Sequence, residues 1–282
     1  MLVNLNEILR KAEGGRYAIG CFNTPNPETV QAVLAAAEEE AMPVILAHAQ
    51  SMDPPAVLGE IAPVMLSWAR AASVPVCVHL DHGTDWDYIT RAMDAGFTSV
   101  MFDLSAKPFE ENAGQLARLC RLAHSRQISV EAELGVLQAG IPSAGSCAYT
   151  DPQQAARFAL LTGVDALTVC FGTAHGRYAA PPRLDIGRVE RIRRLLDPGY
   201  RLVMHGASGV DDAQVRAAIK AGVSKINYYS GLSRGCSRHI YGRLTACGGN
   251  MHWHQIHDEA FRFMKEHARE KIRLFAGRDA AL

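Results

Sequence analysis

The stretch Val74-Pro-Val-Cys-Val-His-Leu-Asp-His-Gly-Thr84 decides how the rest of the chain is read. Val74 to Val78 is a short β-branched run bounded by turn residues, the pattern of a buried strand. It runs straight into His79-Leu-Asp-His-Gly83. Strict strand alternation puts His79, Asp81 and Gly83 on one face and Leu80 and His82 on the other. A carboxylate and imidazoles thus gather where an apolar strand meets a glycine. Burying them without partners would cost several kcal/mol, so the strand reads as ending at a site. The plainer alternative is a capping cluster, with Thr84 or Asp85 as N-cap of the next helix.

Working outward, the same strand-then-helix texture repeats along the chain. Strand-like runs fall at Tyr17 to Asn23, Pro43 to Ala49, Val74 to Asp81, Ser99 to Asp103, Ile128 to Leu134, Ala166 to Gly172, Leu202 to Gly206 and Lys225 to Ser230. Helical spacing or a helix-sized segment follows each. Asn26 before Pro27 reads as an N-cap with proline at the first helical position, and Thr150-Asp151-Pro152 starts another helix. Alternation of this kind implies a parallel sheet with helical crossovers. Eight repeats in 282 residues point to a closed (β/α)8 TIM barrel. No GxGxxG follows the first strand, which weakens the dinucleotide-binding open sheet. A single domain is expected, with its barrel over about 15–232 and a C-terminal helical extension over about 233–282 that folds back on the barrel or onto a second subunit.

Composition narrows the function classes. Lysine plus arginine and aspartate plus glutamate both number 29. A zero net charge gives no electrostatic reason to expect nucleic acid or an anionic membrane as partner. The amino terminus lacks a basic region followed by an apolar core, and no apolar run is long enough to span a bilayer. Seven scattered cysteines without CxxC spacing read as reduced thiols and a cytoplasmic home.

The polar residues then fall in one place. Asn23, Asp81, His82, Asp103, Glu131, Glu133, His205 and Asn227 sit at or near strand carboxyl ends, with His175 just beyond one. In a closed barrel those ends converge on the mouth that carries active sites. His82, His175 and His205 come from three strands and can face one point; three neutral imidazoles with an open fourth position suit catalytic zinc. Asp103 and Glu133 either orient those imidazoles or hold a second, weaker cation, a structural ion pair being the bland alternative. His205-Gly-Ala-Ser-Gly209 and Asn227-Tyr-Tyr-Ser230 follow strands seven and eight, where barrels bind phosphate through backbone N–H groups and hydroxyls. Met251-His-Trp-His-Gln-Ile-His257 offers a further histidine cluster, read as an ordinary polar face.

Together these residues resemble the zinc-dependent class II ketose-bisphosphate aldolases, and within them the tagatose-bisphosphate and sugar-phosphate aldolase branch. The matching stretches are Cys21-Phe-Asn23, His79-Leu-Asp-His-Gly83, Ser99-Val-Met-Phe-Asp103, Val130-Glu-Ala-Glu-Leu-Gly135, Tyr149-Thr-Asp-Pro152, Gly172-Thr-Ala-His-Gly176, His205-Gly-Ala-Ser-Gly209 and Lys225-Ile-Asn227. The resemblance implies zinc on His82, His175 and His205, with Asp103 and Glu133 as an alternative metal position. It implies Asp81 as the acid that protonates the C4 oxygen. Dihydroxyacetone phosphate would lie on Gly176, Gly206, Ala207, Ser208, Asn227, Tyr228, Tyr229 and Ser230, with Asn23 beside it. Zinc would polarise the ketone and stabilise the enediolate left when the C3–C4 bond breaks. A homodimer or homotetramer is expected.

Three departures bear on substrate. Family members usually carry a glutamate base in the loop after strand five, whereas Leu137 to Ala148 contains no acid; Glu131, Asp53 or a metal-bound water would have to replace it. The last strand usually reads Asn-x-x-Thr followed by an acid, whereas Asn227-Tyr-Tyr-Ser-Gly231 brings two tyrosines to the phosphate end. The tail arginine that grips a second phosphate in the family has no clear counterpart; Arg234, Arg238 and Arg243 are candidates, a solvated helix face explains them equally well, and the aldehyde half is open. A metal- and phosphate-binding regulatory barrel, or a metal-dependent epimerase, remain alternatives at this level.

Overall fold

A computed structural model of the protein describes residues 1–15, 17–54, 57–135, 149–176, 178 and 180–278. Eight strands close into an all-parallel barrel in sequence order: β1 (Ile19–Asn23), β2 (Val44–Ala49), β3 (Val76–Gly83), β4 (Ser99–Phe102), β5 (Ser129–Leu134), β6 (Ala166–Val169), β7 (Arg201–Met204) and β8 (Val223–Tyr228). β8 pairs with β1 through Cys21 opposite Asn227, which completes the ring and removes every sheet edge. The protein is thus a TIM barrel.

Helices α2 (Pro27–Glu39), α3 (Leu58–Ala71), α4 (Trp86–Ala95), α5 (Phe109–His124), α6 (Pro152–Thr162), α7 (Ile186–Leu195) and α8 (Asp212–Ala221) follow strands one to seven in turn. Their starts are written locally. Asn26, Asp85, Asp151, Asp185 and Asp211 each accept a hydrogen bond from a backbone N–H in the first turn they cap. Each cap satisfies a donor that would otherwise be orphaned, typically contributing about 1 kcal/mol. Asp85, not Thr84, caps α4.

α9 (Ser230–Ala246) and α10 (Trp253–Phe275) form the C-terminal helical region. α10 packs against α2, α8 and β1, burying Met264, Ala268, Ile272, Leu274 and Phe275. The Ala18 N–H donates to the Phe275 carbonyl at 2.9 Å. Arg269 reaches Glu39, and Lys271 reaches Asp212. The end of the chain therefore fills the gap between α8 and α2 in the outer ring.

Strand alternation separates two cores. Outward residues such as Phe22, Leu46, Val78, Leu80, Val100, Val130, Leu167, Leu202 and Ile226 join the helices in the larger one. Ile19, Cys21, Ile45, Ala47, Cys77, Ala166 and Val203 fill the lower barrel interior. α1 (Leu5–Gly15), which the sequence reading does not place, closes that floor with Leu5, Ile8, Leu9 and Ala12. Leu9 is fully buried there. Leu9→Ala should therefore lower unfolding free energy by about 2–5 kcal/mol, measured by urea denaturation. A loss below about 1 kcal/mol would mean that the helix is not packed as a floor.

Thiols are expected throughout from spacing, but that reading fails at one position. Cys21, Cys77, Cys120, Cys236 and Cys247 are free, whereas Cys170 is disulfide-bonded. Spacing along the chain does not report which strand end meets which loop in space. No described helix is long and apolar enough to cross a membrane.

Candidate active site

The upper barrel interior is polar, and its bonds run between strands that are not neighbours, so they cross the inside of the barrel. Asp81 on β3 is held from two sides. Asn23 on β1 donates to its Oδ2 at 2.8 Å, and Asn227 on β8 donates to its Oδ1 at 3.0 Å. Below them, Lys225 and Glu131 form an ion pair at 2.9 Å with neither side chain exposed.

His82 departs from the alternation that sends it outward with Leu80. Its φ is +47°, and the β3–β4 register shifts between Leu80 and Gly83. This local turn swings the imidazole back over the barrel, so Asp81 and His82 face the same mouth. Gly83 makes the kink feasible: a Cβ there would meet Ile89 Cγ1 and the Met101 carbonyl oxygen at 2.8 Å. A non-glycine residue at positive φ is uncommon and concentrates at functional sites.

His82 Nε2 lies 3.0 Å from His205 Nδ1. His82, Glu133, His175 and His205 each bring a ligand atom within 4.8 Å of one another, the one such metal-competent group among the described residues. Asp103 stands behind this group, its Oδ2 being 2.7 Å from His82 Nδ1 while Oδ1 accepts from the Ser105 N–H and hydroxyl. The structure thus sets Asp103 against His82 Nδ1 and Glu133 within the group that includes the three histidines. His254 stacks on His252 and His257 pairs with Glu28, so the C-terminal histidines do not converge on one point.

Electrostatics favour a cation in the cluster. Burial pushes His82 down, but Asp81, Asp103 and Glu133 outweigh it and raise its pKa to about 10. Burial raises Asp81, yet His82, His205 and Lys225 more than offset this and hold it below the usual carboxylate range. Burial, with His82 and His205 beside it, pulls His175 down to about 3, keeping it neutral. His175 Nε2 is buried without a hydrogen-bond partner. A neutral imidazole with a buried nitrogen that has no hydrogen-bond partner, two more imidazoles and a ring of carboxylates fit a divalent cation of the zinc type.

Above the cluster opens a cavity of about 650 Å³. Gly176, Gly206, Ser208, Asn227, Tyr229 and Ser230 line one side. Gly206 has φ +70°, and a Cβ there would collide with the Ala174 carbonyl oxygen; only glycine permits this approach. Ser208 Oγ accepts the Gly231 N–H at 3.0 Å, tying the loop after β7 to the start of α9. Ser230 opens α9 rather than ending β8, so the phosphate candidates sit at a helix N-terminus. Ala207 packs into the outer core. Tyr228 lines the same cavity, while its hydroxyl meets His267 Nε2 at 2.9 Å and its ring packs on Phe22 and Phe275.

Neither described side chain named as a replacement base is free to serve. Glu131 is fully buried, with Oε1 bonded to His205 and Thr168. Asp53 accepts from the Tyr88 hydroxyl and the Leu58 N–H and does not line the cavity. The acid-free loop over 137–148 lies outside the described residues.

A barrel with three mouth histidines, a clamped aspartate and glycine-rich loops after strands six and seven has recognisable relatives. The family model for class II fructose-bisphosphate aldolase matches residues 3–280. A fructose-bisphosphate aldolase of Geobacillus stearothermophilus is 41% identical over 233 residues, covering 80% of each chain. The YdjI aldolase of Escherichia coli K12 superposes with a TM-score of 0.89 at 34% identity over the full length of both chains. A putative fructose-1,6-bisphosphate aldolase of Coccidioides immitis gives 0.86 at 27% identity, covering 98% of this chain and 97% of its own. The chain belongs to the class II fructose-bisphosphate aldolase family. It is an aldolase, a carbon–carbon lyase of a typically metal-dependent class acting on sugar phosphates.

Proposed function

We propose that the protein reversibly cleaves a ketose 1-phosphate into dihydroxyacetone phosphate and an uncharged aldehyde, with one zinc ion on His82, His175 and His205. When bound, the zinc supplies a Lewis acid for the ketone and for the negative charge left as the C3–C4 bond breaks. Glu133 is the further ligand candidate, and Asp103 fixes His82 through Nδ1.

Asp81 handles the proton at the C4 oxygen. Held ionised by the positive charge gathered at Lys225 and the histidine cluster, it accepts the C4 hydroxyl proton as cleavage begins and returns it in the condensation direction. The Asn23 and Asn227 amides hold both its oxygens, so little reorganisation is needed when the proton moves. Gly176, Gly206, Ser208 and Ser230 seat the phosphate with backbone N–H groups, hydroxyls and the α9 N-terminus. No lysine lines the cavity among the described residues, and Lys225 lies beneath it in an ion pair, an arrangement that leaves no candidate for Schiff-base chemistry.

The observation that carries the substrate class is the wall across the barrel from the phosphate seat. There the cavity is lined by Ala49, Gln50, Ser51, Met52 and Thr84. Gln50 is spent on local bonds to Asp85 and the Thr84 N–H. Among the described residues, such a wall suits hydroxyls and carbon, not a second dianion. Arg234 and Arg238 instead lie on the far side, in the recess behind Gly176, Ser208 and Ser230. The reading also takes the protein as a homo-oligomer, supported by exposed Tyr241 and Trp253 beside the groove between α9 and α10.

Incubation with dihydroxyacetone phosphate and a panel of aldehydes, with product analysis, tests this directly. Uncharged aldehydes should condense. Fructose and tagatose 1,6-bisphosphates should be cleaved with kcat/KM about 10–100-fold below the best ketose 1-phosphate, the range expected for one missing charge-assisted contact of about 1.5–3 kcal/mol. Equal or better use of either bisphosphate would overturn the uncharged-aldehyde reading.

A further inference from the structure

We infer that the buried Glu131–Lys225 pair is a positioning unit that sets the tautomer of His205 and the aim of Asp81 at once. The inference rests on the metal reading of His82, His175 and His205.

Four bonds form one chain through the barrel interior. His205 turns Nδ1 toward His82 and the metal cluster, while its Nε2 lies 3.0 Å from Glu131 Oε1. The Thr168 hydroxyl donates to that same oxygen at 3.0 Å. Thr168 Oγ1 is 3.2 Å from His205 Nε2, and both groups converge on the carboxylate. A carboxylate only accepts, so His205 must carry its proton on Nε2 and leave the Nδ1 lone pair for a metal. Glu131 Oε2 pairs with Lys225 Nζ at 2.9 Å, and Nζ also donates to Asn227 Oδ1 at 2.6 Å. That bond fixes the Asn227 amide so that its Nδ2 faces Asp81 Oδ1 at 3.0 Å.

The two ends of the chain are the two halves of the chemistry. A lysine at position 225 cannot accept, so it dictates which way the Asn227 amide points. A glutamate at 131 cannot donate, so it dictates the His205 tautomer. Neither residue lines the cavity, and both are fully buried. They are positioning residues that act through Asn227 and His205. Burying the pair is itself unfavourable compared with apolar residues of similar volume, which argues that orientation rather than stability keeps it there.

The test replaces both charges together, since removing one would strand the other in the core. Glu131→Leu/Lys225→Met and Glu131→Gln/Lys225→Met are compared with the wild type by cobalt titration, read in the visible d–d bands, with far-UV circular dichroism as the folding control. Wild type should bind one cobalt ion, and the folded double variants should bind it about 10–100-fold more weakly, with an altered d–d spectrum. At saturating metal, kcat should fall while the KM for the phosphorylated substrate stays unchanged. A nitrogen-15 NMR correlation spectrum of the metal-free wild type should show His205 as the Nε2–H tautomer, and this measurement needs no variant to fold. Wild-type cobalt affinity and spectrum in a folded double variant, or an Nδ1–H tautomer in the metal-free protein, would overturn the inference. Failure of the wild type to bind cobalt would instead overturn the metal reading on which it rests.

Discussion

Asp81→Ala should lower aldol turnover by about 10²–10⁴-fold, the usual contribution of a positioned general acid or base, while zinc content and dihydroxyacetone phosphate binding persist. The expectation follows from where the carboxylate stands. Asp81 is 3% exposed, its Oδ1 is 3.8 Å from His82 Nε2, and neither oxygen belongs to the metal-competent group. Its removal takes away a proton acceptor for the C4 hydroxyl without taking away a ligand. The alanine variant leaves Asn23 and Asn227 without their shared partner, so Asp81→Asn is the better probe of fold and the poorer probe of chemistry. Both should lose kcat with KM little changed, because the interaction is made in the transition state. Turnover within about threefold of wild type in a fully metallated Asp81→Ala protein, less than the about 0.7 kcal/mol that separates noise from a real interaction, would reduce Asp81 to a support for the strand end.

The period-two pattern makes much of the site legible in the sequence. Asn23, Asp81, Glu133, His205 and Asn227 lie at strand ends on the inward face, and counting by twos finds them. The same counting fails at His82, because the +47° backbone and the β3–β4 shift break the alternation over one residue. It puts Tyr228 at the phosphate end, where it does line the cavity, but gives no sign that its hydroxyl is engaged by His267 on α10, a contact between residues far apart in sequence. The floor helix α1 carried a usable signal, with Leu5, Ile8, Leu9 and Ala12 at helical spacing, but a short amphipathic segment ahead of the first strand has no place in a strand–helix repeat. Glu131 and Lys225 show the firmest limit. Each is one polar residue in a strand; that they are fully buried partners across the barrel depends on closure of the sheet, which no local pattern records.

Removing any one of the three imidazoles should be the most damaging change of all. His82→Ala, His175→Ala and His205→Ala should each lose zinc on dialysis and fall in turnover by about 10³–10⁵-fold, equivalent to the about 4–7 kcal/mol that a Lewis acid contributes to charge stabilisation. Each supplies one atom of a group gathered within 4.8 Å, and a site that loses one of its three imidazoles would hold the ion much less tightly against water, even with Glu133 still in reach. The three variants also leave different debts. Without His205, Glu131 Oε1 loses its imidazole partner, so this variant should be the least stable. Without His175, whose Nε2 has no hydrogen bond to lose, folding stability should be nearly unchanged in the metal-free protein. His254→Ala is the control, because that exposed side chain stacks on His252 outside the barrel. Elemental analysis after dialysis, with thermal melts in parallel, reads all four. Full zinc in the three barrel variants would remove the metal from these histidines. Loss of zinc in His254→Ala would move it to the C-terminal helix.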